Sequence, residues 1–213
     1  YSFSYTQSAF ANGYNSWLTK TVETQPDGTL NTVFCNYAGR TMLKTLRSGS
    51  DEWCHFYEYD STARIVLQAS PSAISGYDQT KADLLNKVSG NYQYLRDSTG
   101  LITTYQRHAP TGWLTRLSVQ EGELGTAIKV REWEYAEVGT SGSSSSSSSS
   151  SGANALWALS KQTDYPDAAV QTTTIETTFA CTWYTGTYQV KQKTITLPMI
   201  STAQNGSGTA ATR

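Results

Sequence analysis

The sequence predicts an all-β chain of antiparallel strand–turn–strand units wound into a spiralling sheet, with at most one short helix. Three observations point there. Apolar and polar residues alternate with a period of two along several runs. Turn signals rich in Asp, Asn, Gly and Pro separate those runs. The composition also favours residues that fit a pleated surface, with 14 Tyr and 6 Trp besides abundant Thr.

Taken in chain order, the turn Gln25-Pro26-Asp27-Gly28 launches a strand over residues 29–34. Residues 53–59 form another, with Trp53, His55, Tyr57 and Tyr59 on one face and Cys54, Phe56 and Glu58 on the other. Residues 65–69 follow and stop before Pro71. The one helix signal covers residues 78–88, with Asp78 as N-cap, an apolar patch at Leu84, Leu85 and Val88, and Gly90 as stop; an irregular loop is the alternative. Strands are expected over 101–107, 114–119, 128–135 and 156–161. The longest run, 172–184, places Ile175, Thr177, Phe179, Cys181 and Trp183 on one face, and Thr185-Gly186 turns it into a strand over 188–197.

Ser143 to Ser151 is unbroken serine, which has no apolar group to bury against its ordering entropy. It reads as a long loop between the neighbouring strands 128–135 and 156–161. The organisation expected is a β-repeat segment over 1–140, a Ser/Gly-rich loop over 141–152, and a continuation over 153–213 that ends in a Gly- and Ser-rich connector, as an interior stretch of a longer protein would.

Charged residues make up 15% and the net charge is −1. A nucleic-acid binder needs surplus Lys and Arg to displace counterions, so no nucleic-acid partner is expected. No apolar run approaches the roughly 20 residues of a membrane helix, so no membrane insertion is expected. Cys35, Cys54 and Cys181 stand far apart without a CxxC pair. They read as small buried apolar residues, or as one bridge and an odd thiol in an oxidising compartment.

A short pattern recurs. Asn36-Tyr37-Ala38-Gly39-Arg40, Asp60-Ser61-Thr62-Ala63-Arg64 and Asp97-Ser98-Thr99-Gly100-Leu101 each place Asp or Asn three residues before Gly or Ala, and Asp27-Gly28 is an abbreviated form. The first side chain is expected to accept the backbone N–H two residues on. The fourth residue takes a positive φ. Arg40 and Arg64 are placed to lie on aromatic rings or to pair with a turn carboxylate, and Tyr59 adds contact area at a strand end.

Phe56-Tyr57-Glu58-Tyr59-Asp60-Ser61-Thr62-Ala63-Arg64-Ile65-Val66-Leu67 resembles the YD repeat of RHS-type proteins, whose pattern is roughly YxYDxxGRL. Residues 33–42 and 92–102 resemble weaker copies, and residues 20–28, 195–198 and 204–208 are similar to segments of large, divergent RHS-like proteins of planctomycete-type bacteria. Cys35 replaces the motif Tyr, Ala63 the Gly and Leu101 the Arg. The resemblance implies strands wound into a β-solenoid or shell, in a large secreted or cell-surface protein. Its partners would be neighbouring repeats of the same chain, with self-assembly into a fibre or a toxin-enclosing shell.

No catalytic, metal or cofactor site is expected. Cys54 and His55 are adjacent on a strand and point to opposite faces. Glu132 and Glu134 share a face, as a solvated polar face does. GxSxG elbows, phosphate loops and dinucleotide fingerprints are missing. Trp53, Trp113, Trp133 and Trp183 either cover the sheet faces or line a sugar-stacking groove, so a glycan or protein ligand is the alternative to a purely structural role. Asn205-Gly206-Ser207 matches a glycosylation sequon.

Overall fold

A computed structural model describes residues 1–138, 156–204 and 206–213. The serine run and Asn205 lie outside the described residues. Among the described residues there are fourteen strands, two single 3-10 turns at Pro71–Ala73 and Thr202–Gln204, and no α-helix. The protein is all-β. It divides into two compact units, residues 1–105 with 118–128 and residues 106–117 with 129–213.

The first unit is built on β1 (Ser2–Gln7), β2 (Trp17–Thr24), β3 (Leu30–Asn36), β4 (Thr41–Ser48), β5 (Asp51–Tyr59) and β6 (Ile65–Ala69). Each pairs antiparallel with the next in chain order. After an excursion that contains the two-residue strands β7 (Lys87–Val88) and β8 (Asn91–Tyr92), β9 (Leu101–Arg107) pairs antiparallel with β6.

Residues directly opposite each other in an antiparallel ladder share a face. The register therefore assembles a row that crosses five strands: Phe34, Leu43, Phe56, Ala69 and Ile102. All five are fully buried. The parallel row Thr32, Thr45 and Cys54 lies on the same face and is buried too.

What covers that face is the excursion between β6 and β9. Ala73, Ile74, Leu84, Leu85, Tyr92 and Leu95 pack into one cluster with the sheet residues. Aromatic edges join the two layers: Phe34 meets Tyr77 at 5.5 Å and Phe56 meets Tyr92 at 5.3 Å. The Trp17 N–H donates to the Ala82 carbonyl at 2.9 Å and the Trp17 indole N–H donates to the Gln79 carbonyl at 3.2 Å.

This excursion holds no α-helix. Asp78 does what an N-cap does: its Oδ1 accepts the Thr80 N–H at 2.8 Å and the Thr80 hydroxyl at 2.7 Å. The chain then turns, because Leu84, Asn86 and Ser89 all take positive φ (65°, 53° and 52°), which a right-handed helix excludes. Leu84 and Leu85 are both fully buried in the cluster. The expected helix over 78–88 is thus replaced by an irregular loop whose apolar side chains fill the core.

The second unit carries β11 (Ile128–Val138), β12 (Leu156–Asp164), β13 (Ile175–Trp183) and β14 (Val190–Thr196), each antiparallel to the next. The pairing of β11 with β12, from Arg131↔Asp164 to Val138↔Leu156, makes them the neighbours that the serine loop was expected to join. The hairpin at Gly186 closes as expected, with the Thr187 N–H donating to the Tyr184 carbonyl at 3.0 Å. Along β13, Thr177, Phe179, Cys181 and Trp183 are half-buried while the residues between them are exposed; Ile175 is exposed. Every fully or nearly fully buried apolar side chain among the described residues belongs to the first unit. The strand β10 (Leu114–Glu121) has its residues up to Leu117 in the second unit and the rest in the first.

Candidate functional site

Two of the recurring turns are built alike. The Asn36 Oδ1 accepts the N–H groups of Ala38 and Arg40, both at 3.0 Å, and the Asn36 carbonyl accepts the Gly39 N–H at 3.0 Å. The Asp60 Oδ1 accepts the N–H of Thr62 at 2.8 Å and of Arg64 at 3.0 Å, and the Asp60 carbonyl accepts the Ala63 N–H at 3.1 Å. The extra residue that follows each turn is also shared. Met42 on β4 and Val66 on β6 have no opposite partner in the register, so each hairpin carries a bulge just past its turn. The turn at Gln25–Thr29 has the same backbone closure, the Gly28 N–H donating to the Gln25 carbonyl at 2.9 Å, and Asp27 adds a bond from the Thr29 N–H at 2.9 Å.

The third copy is different. Asp97–Leu101 joins the excursion to β9 and is not a hairpin turn. The Asp97 carbonyl accepts the Leu124 N–H at 2.9 Å and the Gly100 carbonyl accepts the Gly122 N–H at 2.8 Å. The sequence reading of a third strand–turn–strand module is therefore corrected: the local pattern is there, but no strand precedes it to pair with β9.

Ala63 takes a φ of 63°, where its Cβ crowds the backbone. Gly39, at the same position of the sister turn, has a φ of 72° and nothing within 4 Å of a Cβ built on it. Ala63→Gly is expected to raise the unfolding free energy by about 1 kcal/mol, the strain of a left-handed L-residue. An unchanged or lower denaturation midpoint would count against this account of the turn.

The Asp60 carboxyl is held below the usual carboxylate range. Burial alone pushes it up, and the donors on Thr62 and Arg64 outweigh that. One of them is the Arg64 Nε, 2.8 Å from Oδ2, so Arg64 pairs with the turn carboxylate as the sequence suggested. A depressed carboxyl contributes stability that is complete above the unfolded value of about 3.9 and is lost as the pH falls through the folded value. The wild type is thus expected to lose more stability than Asp60→Asn between pH 5 and pH 2. Asn36 shows that an amide supports the same turn. Equal losses in urea titrations would refute the linkage.

Tyr59 is buried, and its hydroxyl donates to the Thr41 carbonyl at 2.6 Å. Asn15 grips its backbone from both sides, accepting the Tyr59 N–H and donating to its carbonyl, each at 2.7 Å. The Tyr14 carbonyl accepts the Asn36 amide at 2.7 Å. The link from β1 to β2 therefore clamps the ends of two hairpins. Nothing in a linear pattern marked Asn15 for that duty.

Cys54 is buried against the excursion and His55 faces the opposite side. Burial pushes the Cys54 thiol up to about 12, with Glu52 adding to the rise. All three cysteines are free. No group of three or more His, Cys, Asp or Glu with metal-holding geometry occurs among the described residues.

In the second unit, Glu132 is held by Arg116 at 2.5 Å, Lys129 at 3.2 Å and the Tyr165 hydroxyl. Glu134 pairs with Lys161 at 2.6 Å. Each carboxylate thus serves as a structural anchor. Trp113 is exposed and packs on Tyr135 at 5.1 Å, and His108 packs edge-on to Trp157 at 4.4 Å. Trp133 and Trp183 are half-buried, with the Arg131 guanidinium 5.8 Å from the Trp133 ring.

Trp53 differs from the other three. It lies on the face of the first unit opposite the excursion. The register sets Glu23, Asn31, Leu46 and Trp53 in one row and Thr21, Val33, Lys44 and His55 in the next. Gln25, Asn31, Lys44, Leu46, Trp53 and His55 line a depression of about 340 Å³. The Asn31 amide donates to Glu23 at 3.1 Å, and its Oδ1 is shielded from solvent without a hydrogen-bond partner among the described residues. Protein-family models, curated proteins and solved structures were all compared with the chain, and none matches.

Proposed function

We infer that the chain is a structural module of a large secreted or cell-surface protein, a piece of a β-wall that grows by strand pairing. The observation that carries this reading is β1. Among the described residues it pairs with β2 alone, and both of its faces are exposed. Its residues, Ser2–Gln7, include no charge, no Pro and no bulge. Edge strands that stay solitary are ordinarily protected by just those devices. Phe3 and Tyr5 add aromatic surface at 57% and 76% exposure.

The outward hydrogen-bonding groups follow from the register. The Ser8 N–H donates to the Leu18 carbonyl and the pairing with β2 runs without a shift, so Ser4 and Thr6 also point inward. Phe3, Tyr5 and Gln7 therefore offer their N–H and C=O groups outward. The occupant of that edge would be a strand of a neighbouring repeat, in the same chain or in a second copy. The second unit fits this reading, because repeats that bury little alone rely on neighbours for cover.

The isolated chain is expected to form oligomers that grow with concentration, read by light scattering, with slowed amide exchange at Phe3, Tyr5 and Gln7. Tyr5→Pro removes one outward donor at an edge position that tolerates proline and is expected to return the chain to a monomer with unchanged circular dichroism. A native chain that stays monomeric at millimolar concentration, with those amides exchanging freely, would overturn the reading.

A further inference from the structure

We propose that the depression over β3, β4 and β5 binds an acidic oligosaccharide, a pyranose chain that carries carboxylates. Leu46 and Trp53 stand directly opposite each other at 40% and 45% exposure, an apolar platform on the open face of the sheet. The electron-rich face of an indole attracts the polarised C–H groups along one side of a pyranose ring. Polar groups that suit the rest of such a ring surround the platform. Gln25 presents a planar amide, which matches a pair of neighbouring hydroxyls, and Asn31 lines the same depression.

Asn31 is the more telling of the two. One N–H of its amide goes to Glu23, while its Oδ1 has no donor among the described residues. Leaving a shielded acceptor unmatched is unfavourable, and a ligand hydroxyl that reaches it supplies the missing bond. Charge sets the class of saccharide. Lys44 is exposed beside Asn31 and opposite His55, and it forms no ion pair among the described residues. An ammonium without a carboxylate of its own complements a ligand carboxylate. The volume of about 340 Å³ is at the lower end of the range for small-molecule sites.

The test is calorimetric titration of the whole chain with a galacturonate trimer and, in parallel, with the neutral trimer of β-linked glucose. The native chain is expected to bind the galacturonate at least tenfold more tightly, with the difference shrinking as salt rises. Trp53→Ala is expected to weaken both ligands at least tenfold. Lys44→Gln is expected to weaken only the acidic one, and Trp113→Ala, another exposed tryptophan, neither. Circular dichroism verifies that each variant is folded. Absence of binding at millimolar galacturonate, equal affinity for the neutral trimer, or an equal loss in Trp113→Ala would each overturn the proposal. These titrations read the face of the sheet and not its edge, so they stand or fall separately from strand assembly.

Discussion

Truncating Phe56 to Ala is expected to cost about 3–5 kcal/mol of unfolding free energy, the range for emptying a large, fully buried aromatic site. Phe56 sits at the middle of the buried row, between Leu43 on β4 and Ala69 on β6, with the Tyr92 ring of the excursion packed against it at 5.3 Å. Its ring is held from two layers, so neither the sheet nor the loop above can close the gap without losing its own contacts. The excursion has two short paired strands of its own, and this packing holds it in place together with its hydrogen bonds to the neighbouring segments. The same substitution is therefore expected to expose residues 71–97 to proteolysis under conditions where the wild type resists. Trp53→Ala, three residues away on the open face, is the control. It removes a ring of similar bulk that is 45% exposed and is expected to cost less than about 1 kcal/mol. Denaturant titrations of both variants decide the matter. Similar losses would mean that the excursion does not make Phe56 the centre of a core.

The contrast between Phe56 and Trp53 also marks what the sequence makes legible. Alternation along 53–59 separates a covered face from an open one, because side chains on a strand must point to opposite sides. The local turn chemistry is legible for a related reason. An Asp or Asn bonds within four residues, so Asn36 and Asp60 carry their geometry with them. Both properties are local. The cover is not. Leu84, Leu85, Tyr92 and Leu95 do not alternate, and their spacing would gather them on one face of a helix, yet the positive φ at Leu84, Asn86 and Ser89 keeps the chain out of one, since a loop that fills a cavity answers to the shape of the cavity. Asp78 misleads for the same physical reason that it succeeds, because an Asx turn and a helix N-cap begin with the same bond. The candidate site divides in the same way. Trp53 is found by alternation, but Asn31, Lys44 and Leu46 reach it through a register across three strands, with Gln25 arriving from the turn before β3, and no short-range signal encodes which residue of one strand stands opposite which of another.

Gly100→Ala is expected to destabilise the first unit by at least about 3 kcal/mol, combining left-handed strain with a backbone collision. Gly100 takes a φ of +88°, and a Cβ there would lie 2.2 Å from the Ser72 carbonyl carbon and oxygen and 2.3 Å from the Ala73 nitrogen. These atoms are backbone, so no side chain can swing aside. The Ala73 region is also pinned. The Ser70 N–H donates to the Leu101 carbonyl at 3.0 Å, and the Ser72 hydroxyl accepts the Leu101 N–H at 3.1 Å. On the other side the Gly122 N–H donates to the Gly100 carbonyl at 2.8 Å. Three segments thus meet at one residue, and moving either neighbour away breaks its hydrogen bonds to residues 100–101. Gly39→Ala isolates the purely conformational part, because a Cβ at Gly39 meets nothing within 4 Å, and is expected to cost about 1 kcal/mol. Both glycines follow Asp or Asn at the same spacing, so the comparison separates two uses of one sequence pattern. In the hairpin at 36–40 the glycine serves the turn, and at 97–101 it serves a crossing of chains. Equal losses from the two alanine variants would show that the crossing is loose enough to yield and that Gly100 is only a turn residue after all.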